Sequence, residues 1–348
     1  RQRLEEREES LSHYAAKSRL SRGRSRPEEP CPMRTVFQRD RDRIIHCKGF
    51  RRLKHKTQVF IAPLGDHYVT RLTHTLEVSQ IARSIVRALN LNEDLVEAIS
   101  LGHDLGHTPF GHVGEEVLNN LYPEGFRHNE QSLRVVDLLE KDGQGLNLTW
   151  EVRDGILKHA KTGVDILGEN WGEVETLEGQ VCKIADIIAY INHDIGDAVR
   201  AGIISDEDLP PEAVGILGRS HSERINTLVS DVIDFSWAAT GAASGQWPVI
   251  GMSPRVLEAT SILRQFLFER VYNVARDEAE RAREVVRLLY RHFIEHDEVL
   301  PKEYNLRDDS VERRVVDYIA GMTDNYALRM AEEVLGEHLT KGCFPVSF

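Results

Sequence analysis

The segment from residue 102 to residue 116, GHDLGHTPFGHVGEE, concentrates side chains that bind metals and transfer protons. Within fifteen residues it contains three histidines, one aspartate and two glutamates, namely His103, Asp104, His107, His112, Glu115 and Glu116. Imidazole and carboxylate groups bind borderline divalent metals and exchange protons near neutral pH. Packing alone rarely requires such density, so the segment predicts a metal or catalytic site.

His103-Asp104 is the strongest of three His-Asp pairs in the chain, the others being His193-Asp194 and His296-Asp297. The 15 His and 22 Asp would give about one such pair by chance. We interpret His296, which lies among charged residues, as a solvated helix end. His103-Asp104 instead ends the apolar-periodic stretch LVEAISLGHD. Buried ionisable groups are costly unless they are paired or bound to a metal, so this placement favours a site.

Two further residues are candidate ligands of the same metal. His74 lies at the start of an amphipathic helix, and Asp186 lies in VCKIADIIAYINHD, otherwise the most apolar predicted helix. Two neutral imidazoles and two carboxylates would form four protein ligands. An octahedral Mn²⁺, Fe²⁺ or Mg²⁺ would keep positions for water and substrate. Zinc more often takes Cys and His ligands in a closed tetrahedron.

The elements that must position these residues are predicted to be helices. Apolar residues recur at three- and four-residue spacing in residues 76–89, 93–101, 113–121, 130–139, 179–199, 224–235, 255–274, 279–293, 311–319 and 325–335. Alternating patterns are few, with one short hairpin predicted near Gln58 to Val69. We therefore expect an all-α fold. We divide it into an N-terminal arm (1–35), a core (36–205) and a C-terminal helical region packed on the core (206–348).

Composition narrows the class of protein. The apolar fraction is 41% and no run of apolar residues is long enough to span a membrane, so we expect a soluble protein without a membrane partner. Four dispersed cysteines form no CxxC pair, which fits a reducing cytoplasm. The first residues are polar and carry no secretory signal, and because the chain begins with Arg we expect further residues before it.

The charge is distributed unevenly. Residues 1–60 contain 17 Lys and Arg against 8 Asp and Glu, whereas the whole chain has a net charge of −12. This basic segment would either contact a polyanion or pair with acidic surface of its own chain or of a neighbouring subunit, and both alternatives remain open. The chain lacks the P-loop, the dinucleotide-binding GxGxxG and the HExxH motif, which excludes the enzyme classes that those motifs define.

The order His74, His103-Asp104, Asp186 resembles the ligand set of the HD-domain metal-dependent phosphohydrolases. Longer strings, RDRDRIIHCKGFRRLKHKTQVF, RLTHTLEVSQIAR, GHDLGHTPFGHVGEE, ADIIAYINHDIGDA and VVDYIAGMTDNYAL, are similar to the dGTPase-like deoxynucleoside triphosphate (dNTP) triphosphohydrolases. The similarity runs from about residue 10 to the C-terminus. It implies an HD core within residues 36–205 and metal-dependent hydrolysis of dNTP to deoxynucleoside and triphosphate by water attack at the α-phosphorus.

The resemblance also implies roles for individual residues. His112 and Glu115, spaced three apart on a helix, match a proton-transfer pair, and His128 matches a second acid near the leaving 5′-oxygen. Tyr190 and Asp194 lie on one helix face and match the residues that pack on the deoxyribose and hold its 3′-hydroxyl. A Tyr ring below C2′ would exclude ribonucleotides. The remaining expected substrate contacts are Gln58, Arg71, His107, Lys158 and Tyr326.

Two alternatives stay open at this point. The first is another HD phosphohydrolase, acting on nucleoside monophosphates, cyclic nucleotides or alarmones. The second is a nucleic-acid-binding protein in which residues 1–60 contact a single strand and the pocket binds a regulatory nucleotide. The resemblance further implies a homo-oligomer, hexameric or dimer-based, and control by an allosteric dNTP or by single-stranded nucleic acid. Base preference and the native metal do not follow from the residues.

Overall fold

The computed structural model describes residues 1–58, 68–160, 174–242, 248–272 and 276–336. Within these ranges regular structure is helical, apart from the isolated bridges Arg24↔Thr149 and Thr57↔Thr70. The prediction of an all-α fold is therefore confirmed. The predicted hairpin falls mostly on residues 59–67, which lie outside the described residues.

Each predicted periodic segment overlaps a described helix, and further helices lie outside those segments. The helices are α1 (Gln2–Glu8), α2 (Val36–His46), α3 (Lys48–Arg52), α4 (Arg71–Ala88), α5 (Glu93–Gly102), α6 (Gly111–Leu121), α7 (His128–Arg134), α8 (Glu140–Gly143), α9 (Trp150–Lys158), α10 (Leu177–Arg200), α11 (Pro211–Leu217), α12 (His221–Phe235), α13 (Pro254–Leu267), α14 (Arg276–Glu295), α15 (Val311–Ala320) and α16 (Asp324–Leu335). Two π-helical segments, Val135–Leu139 and Phe268–Tyr272, extend α7 and α13.

Polar residues at the helix starts explain several of these bounds. The side chain of Asn92 accepts hydrogen bonds from the backbone amides of Asp94 and Leu95 and so caps α5. Thr176 caps α10 in the same way, and Ser253 caps α13 before Pro254. A capping side chain satisfies amide groups that have no partner inside the helix, which stabilises each start by about 1 kcal/mol.

The chain forms two compact units whose segments alternate along the sequence. Unit 1 comprises residues 1–45, 74–103 and 147–274, and unit 2 comprises residues 46–73, 104–146 and 275–348. The predicted domain boundaries, near residues 35 and 205, remain predictions. No helix in the described part of the chain has both the length and the apolar character needed to cross a lipid bilayer.

Unit 1 is built around α10, the longest helix described. Its apolar face, which includes Ile184, Ile188 and Ile191, is fully buried, and the helix packs against α5, α9, α12 and α13. Burial of each large aliphatic side chain contributes roughly 1.5–3 kcal/mol. Polar residues on such a helix are therefore held in fixed positions by their apolar neighbours.

Unit 2 is built around α14, which packs against α6, α15 and α16. Its core includes Phe110 and Leu118 near the histidine-rich segment and Phe293 and Ile319 from the C-terminal helices. This core fixes the start of α6 and therefore the side chains that follow it.

The predicted N-terminal arm, residues 1–35, is part of unit 1. The hydroxyl of Ser12 donates to the carbonyl of Ala239 over 2.6 Å, and the amide of Ala16 donates to Glu178 over 3.0 Å. Arg24 forms an ion pair with the buried Asp40. The Arg24–Asp40 pair agrees with the alternative in which basic residues of the segment pair with acidic groups of the same chain.

Candidate active site

His74 and His103 form a buried pair of imidazoles in unit 1. His74 lies in the first turn of α4, and His103 directly follows α5. Each residue is 1% exposed, the ring centroids are 5.5 Å apart, and one ring nitrogen of each lies within 4.8 Å of the other. Two buried imidazoles at this separation can serve as ligands of one metal ion.

The backbone fixes which nitrogen of His103 carries a proton. Its Nδ1 lies 2.6 Å from the carbonyl oxygen of Ser100, which can only accept a hydrogen bond. Nδ1 is therefore the protonated nitrogen of the neutral ring, and Nε2 carries the lone pair. A hydrogen bond of this kind from the other ring nitrogen is typical of metal-binding histidines.

His74 and Asp186 present ligand atoms at a suitable spacing. Nε2 of His74 lies 3.1 Å from Oδ1 of Asp186, which belongs to α10. Ligands at roughly 2.1 Å from an ion would be roughly 3 Å apart in neighbouring coordination positions. His74 and Asp186 therefore have the spacing of neighbouring ligands of a divalent cation, and Asp104 is the next residue in the chain after His103.

A series of close polar contacts extends from His74 along α10. Nδ1 of His74 lies 2.8 Å from Nε2 of His193, and Nδ1 of His193 lies 2.8 Å from Oδ1 of Asp194. The hydroxyl of Tyr272 donates to the second carboxylate oxygen, Oδ2 of Asp194. Burial, together with the charge of Asp194, raises the pKa of Tyr272, so that its hydroxyl stays protonated and donates.

Tyr190, the expected sugar contact, lies on α10 between Asp186 and Asp194. Burial raises the pKa of Tyr190 strongly, although the charge of Arg264 and a hydrogen bond with it oppose this effect. The ring therefore stays neutral. Lys158 pairs within α9 with Asp154, its ammonium nitrogen 2.5 Å from the carboxylate. A phosphate at Lys158 would have to compete with this ion pair.

Arg71 and Asp104 form a buried ion pair in unit 2. Nη1 of Arg71 lies 2.7 Å from Oδ2 of Asp104, and the side chains are 1% and 5% exposed. An arginine–carboxylate pair of this kind is a charge-assisted hydrogen bond. The expected phosphate ligand Arg71 is thus held by one of the expected metal ligands.

Glu115 joins two histidines of unit 2. Its Oε1 lies 2.8 Å from Nδ1 of His128 and accepts the backbone amide of the same residue, also over 2.8 Å. Its Oε2 lies 3.1 Å from Nδ1 of His112. His112 is largely exposed, whereas His128 is mostly buried. Glu115 therefore holds His128 more firmly than His112, the partner expected from helical spacing.

The charges within this cluster determine its protonation. Burial alone would raise the pKa of Glu115, but the charge of His128 and hydrogen bonds from both histidines lower it below its usual range. Burial would likewise lower the pKa of His128, but Glu115 raises it. The two residues therefore form a carboxylate–imidazolium pair.

His107 stacks on His128, with ring centroids 4.1 Å apart and an interplanar angle of 14°. Burial, and then the charge of Arg71, lowers the pKa of His107 well below its usual value, so this ring is neutral. The two rings approach closely because residue 106 is glycine: a Cβ there would lie 2.5 Å from the carbonyl oxygen of His128. Nδ1 of His107 has no hydrogen-bond partner among the described residues.

Two other expected contacts lie in unit 2. Gln58 is 8% exposed, and its Oε1 has no hydrogen-bond partner within the described ranges, which leaves this atom able to accept from a ligand. The hydroxyl of Tyr326 lies 3.0 Å from the hydroxyl of Tyr318.

Sequence reasoning missed several residues that contact the site. His193 was visible as one of three His-Asp pairs, and its position seven residues after Asp186, on one face of α10, was the signal that could have identified it. Tyr272 gave no local signal, because its contact with Asp194 spans 78 residues.

Lys56 also gave no signal in the sequence. It is fully buried, burial lowers its pKa to about 7, and its ammonium nitrogen donates to the carbonyls of His107 and Ala320.

Comparison with known proteins is consistent with this arrangement. The HD domain family matches residues 71–191, and a phosphohydrolase-associated domain matches residues 250–333. A deoxyguanosinetriphosphate triphosphohydrolase-like protein of Caldanaerobacter subterraneus subsp. tengcongensis is 59% identical over 93% of this chain and 92% of its own length. Proteins with the same description from Desulfatibacillum aliphaticivorans and Clostridium tetani are 47% and 46% identical, over 96% and 93% of this chain and 97% and 93% of their own lengths.

HD domains bind divalent metals, and the buried imidazole pair of His74 and His103, with Asp186 beside His74, agrees with that property. The sequence similarity to these relatives extends over 93% to 96% of this chain. The chain is a hydrolase that belongs to the deoxyguanosinetriphosphate triphosphohydrolase-like family of HD-domain phosphohydrolases.

Proposed function

We propose that this chain hydrolyses a deoxynucleoside triphosphate to the deoxynucleoside and inorganic triphosphate. The carboxylate–imidazolium pair of Glu115 and His128 carries this proposal, because it provides an acid for an alkoxide leaving group. The names of the relatives support dGTP as one substrate to test. The same proposal includes a broader set of dNTPs, since the base contacts are not assigned.

The proposed metal ligands are His74, His103, Asp104 and Asp186. A divalent ion held there would polarise a phosphate oxygen and lower the pKa of a bound water. Mn²⁺, Mg²⁺ and Fe²⁺ all suit two imidazoles and two carboxylates. The hydrogen bond from Nδ1 of His103 to the Ser100 carbonyl supports this assignment, because it leaves the lone pair on Nε2 to bind the metal.

His128 and Glu115 are the proposed acid and its stabilising partner. Water would form a new bond to the α-phosphorus while the bond from that phosphorus to the 5′-oxygen breaks. The imidazolium of His128 would donate its Nε2 proton to the departing oxygen, since Nδ1 is held by Glu115. His112, the second imidazole on Glu115, is proposed to exchange a proton with the incoming water or the product phosphate.

The remaining residues are proposed to bind and orient the nucleotide. Arg71 and His107 would contact the phosphates, with Lys158 as a weaker candidate because of its pair with Asp154. Tyr190 and Asp194 would contact the deoxyribose. Gln58, with its open acceptor atom, and Tyr326 are further sugar or base contacts. Phosphoryl transfer depends mainly on such positioning and charge neutralisation.

Product analysis by chromatography tests this function. The protein would be incubated with each dNTP and with GTP, in Mn²⁺ or Mg²⁺, with and without a second dNTP. We expect deoxynucleoside and intact triphosphate. Release of phosphate or pyrophosphate instead would contradict attack at the α-phosphorus. His128→Gln is the matched variant, and it should bind dNTP but release product far more slowly.

A further inference from the structure

We propose that Asp324, the first residue of α16, is a positioning residue for the proton-transfer cluster and for Gln58. Its side chain binds two backbone amides: one belongs to the residue before Gln58, and the other to the residue before α6, the helix that carries His112 and Glu115. All of these segments belong to unit 2. This inference rests on the roles that the proposed function gives to Gln58, His112 and Glu115.

The turn before α6 has a backbone conformation that needs outside support. Phe110 has φ 61° and ψ 24°, in the left-handed region, and Gly111 follows with φ 59°. Residues other than glycine seldom adopt such angles, because the Cβ atom crowds the backbone. They persist only where surrounding contacts hold them. The ring of Phe110 is held in the apolar core of unit 2.

The amide of Phe110 is held by Asp324. In many helices the amide of the residue before the first turn is bound by a Glu or Gln three residues later. The residue at that position in α6 is Val113, whose side chain cannot accept a hydrogen bond. The amide of Phe110 instead donates to Oδ1 of Asp324 over 3.0 Å, across 214 residues of sequence. Asp324 therefore fixes the start of α6.

The second oxygen of Asp324 holds the segment that carries Gln58. Oδ2 accepts the backbone amide of Thr57 over 2.8 Å and a hydrogen bond from the hydroxyl of the same residue. This segment lies close to the start of α6, since a Cβ at Gly111 would be 3.2 Å from the carbonyl oxygen of Gln58 and 3.5 Å from that of Thr57. One carboxyl group thus sets the spacing between a proposed nucleotide contact and the proton-transfer helix.

These contacts do not depend on the charge of Asp324. Burial raises its pKa, whereas hydrogen bonds from Thr57 and Phe110 oppose that rise. A protonated carboxyl group keeps acceptor capacity on both oxygens, so each backbone amide retains a partner in either state. An asparagine has one acceptor oxygen and an amide nitrogen that only donates. Asp324→Asn must therefore lose one of the two backbone contacts while it keeps the size of the side chain.

Amide hydrogen exchange in the whole chain tests this geometry. In Asp324→Ala we expect the amides of Thr57 and Phe110 both to exchange about tenfold faster than in wild type, because each loses its acceptor. In Asp324→Asn only one of the two should become faster. Ser310→Ala removes the cap of α15, a neighbouring helix start in the same unit, and should change neither. Circular dichroism would check folding, and Asp324→Ser would replace Asp324→Ala if that variant unfolds.

Steady-state kinetics with dGTP and Mn²⁺ test the consequence for turnover. We expect Asp324→Ala to lower kcat by about 10²-fold, because a small displacement of the proton-transfer residues is costly. KM should rise as well, because Gln58 loses its fixed position, and Asp324→Asn should lie between Asp324→Ala and wild type. A smaller folded fraction alone would lower the apparent kcat and leave KM unchanged. Ser310→Ala should keep both constants.

The outcomes separate this inference from the proposed function. Wild-type exchange at Thr57 and Phe110 in a folded Asp324→Ala variant would overturn the inference, as would a fall in kcat without a rise in KM. Because turnover is followed as loss of dGTP, release of pyrophosphate instead of triphosphate would overturn only the proposed function. Faster exchange at both amides in Asp324→Ala, and at one in Asp324→Asn, would support the positioning role even if the wild-type protein consumed no dGTP.

Discussion

Glu115 accepts two hydrogen bonds from His128, one from the backbone amide and one from Nδ1 of the ring, each over 2.8 Å. The same carboxylate therefore positions the residue and stabilises its charged ring. Because of this double contact, the proposed proton-transfer residues His112 and His128 depend on Glu115 more than on each other.

We expect Glu115→Gln to lower kcat for dNTP hydrolysis by about 10²- to 10⁴-fold, because a neutral amide cannot stabilise the imidazolium of His128. Steady-state kinetics with dGTP would measure this loss, with Mn²⁺ content as the control that should stay unchanged. Glu116→Gln, next in the chain and half exposed with a surface ion pair to Arg283, is the matched variant. Full activity in Glu115→Gln would contradict the assignment.

His103→Ala and Asp104→Ala should each abolish metal binding and turnover while the helical fold remains. The first removes an imidazole whose Nδ1 is held by Ser100, and the second removes a carboxylate and leaves Arg71 without that buried ion pair. Elemental analysis and circular dichroism on the same samples would measure both effects. Wild-type metal content in either variant would show that the ligand set is wrong.

Tyr190→Ala should relax discrimination against ribonucleotides. In the proposed function the neutral ring lies below C2′ and leaves a 2′-hydroxyl without room or a partner. The ratio of kcat/KM for dGTP over GTP should fall at least tenfold, whereas Tyr190→Phe, which keeps the ring, should preserve it. An unchanged ratio in Tyr190→Ala would remove the sugar-stacking role.

Glu178 should make the folding stability depend on pH. Its carboxyl is completely buried, and burial raises its pKa to about 7, so the folded state keeps a proton that the unfolded state loses near pH 4.5. Stability should therefore fall as the pH rises from about 4.5 to about 7 and then level off. A pKa shift of this size lowers the free energy of unfolding by about 3 kcal/mol once the pH is well above 7.

Denaturant unfolding of Glu178→Gln would test this dependence. The amide stays neutral, can still accept from Ala16 and Asn92, and should give a smaller fall in stability across the same pH range. Glu175→Gln, a change at an exposed ion pair with Arg22, is the control. Parallel pH profiles for wild type and Glu178→Gln would contradict the prediction.

Sequence patterns predicted helices such as α4, α5 and α10, because apolar periodicity and capping residues are local, but they did not predict α2, α3 or α9. The predicted helix over residues 93–101 is found at Glu93–Gly102, and its start coincides with the capping Asn92. Spacing also placed Glu115 beside His112. It could not place Glu115 beside His128, because that contact depends on how the segment after Gly106 packs, and helical periodicity contains no information about it.

Residue chemistry was likewise easier to predict than residue partners. His74 and Asp186 were selected from the sequence, and the structure places their ligand atoms 3.1 Å apart. The partner of Lys158, in contrast, is an aspartate one turn earlier on its own helix. The contacts of Tyr272 and Lys56 join distant segments, so only the folded chain reveals them.

The helix α10 places constraints on insertions and deletions as well as on substitutions. Asp186, Tyr190, His193 and Asp194 lie along one uninterrupted helix, so their angular positions are set by the number of residues between them. One residue added between Asp186 and Tyr190 would turn every later side chain by about 100° and move it by about 1.5 Å. Relatives with this chemistry should therefore differ in residue type along this segment but not in its length.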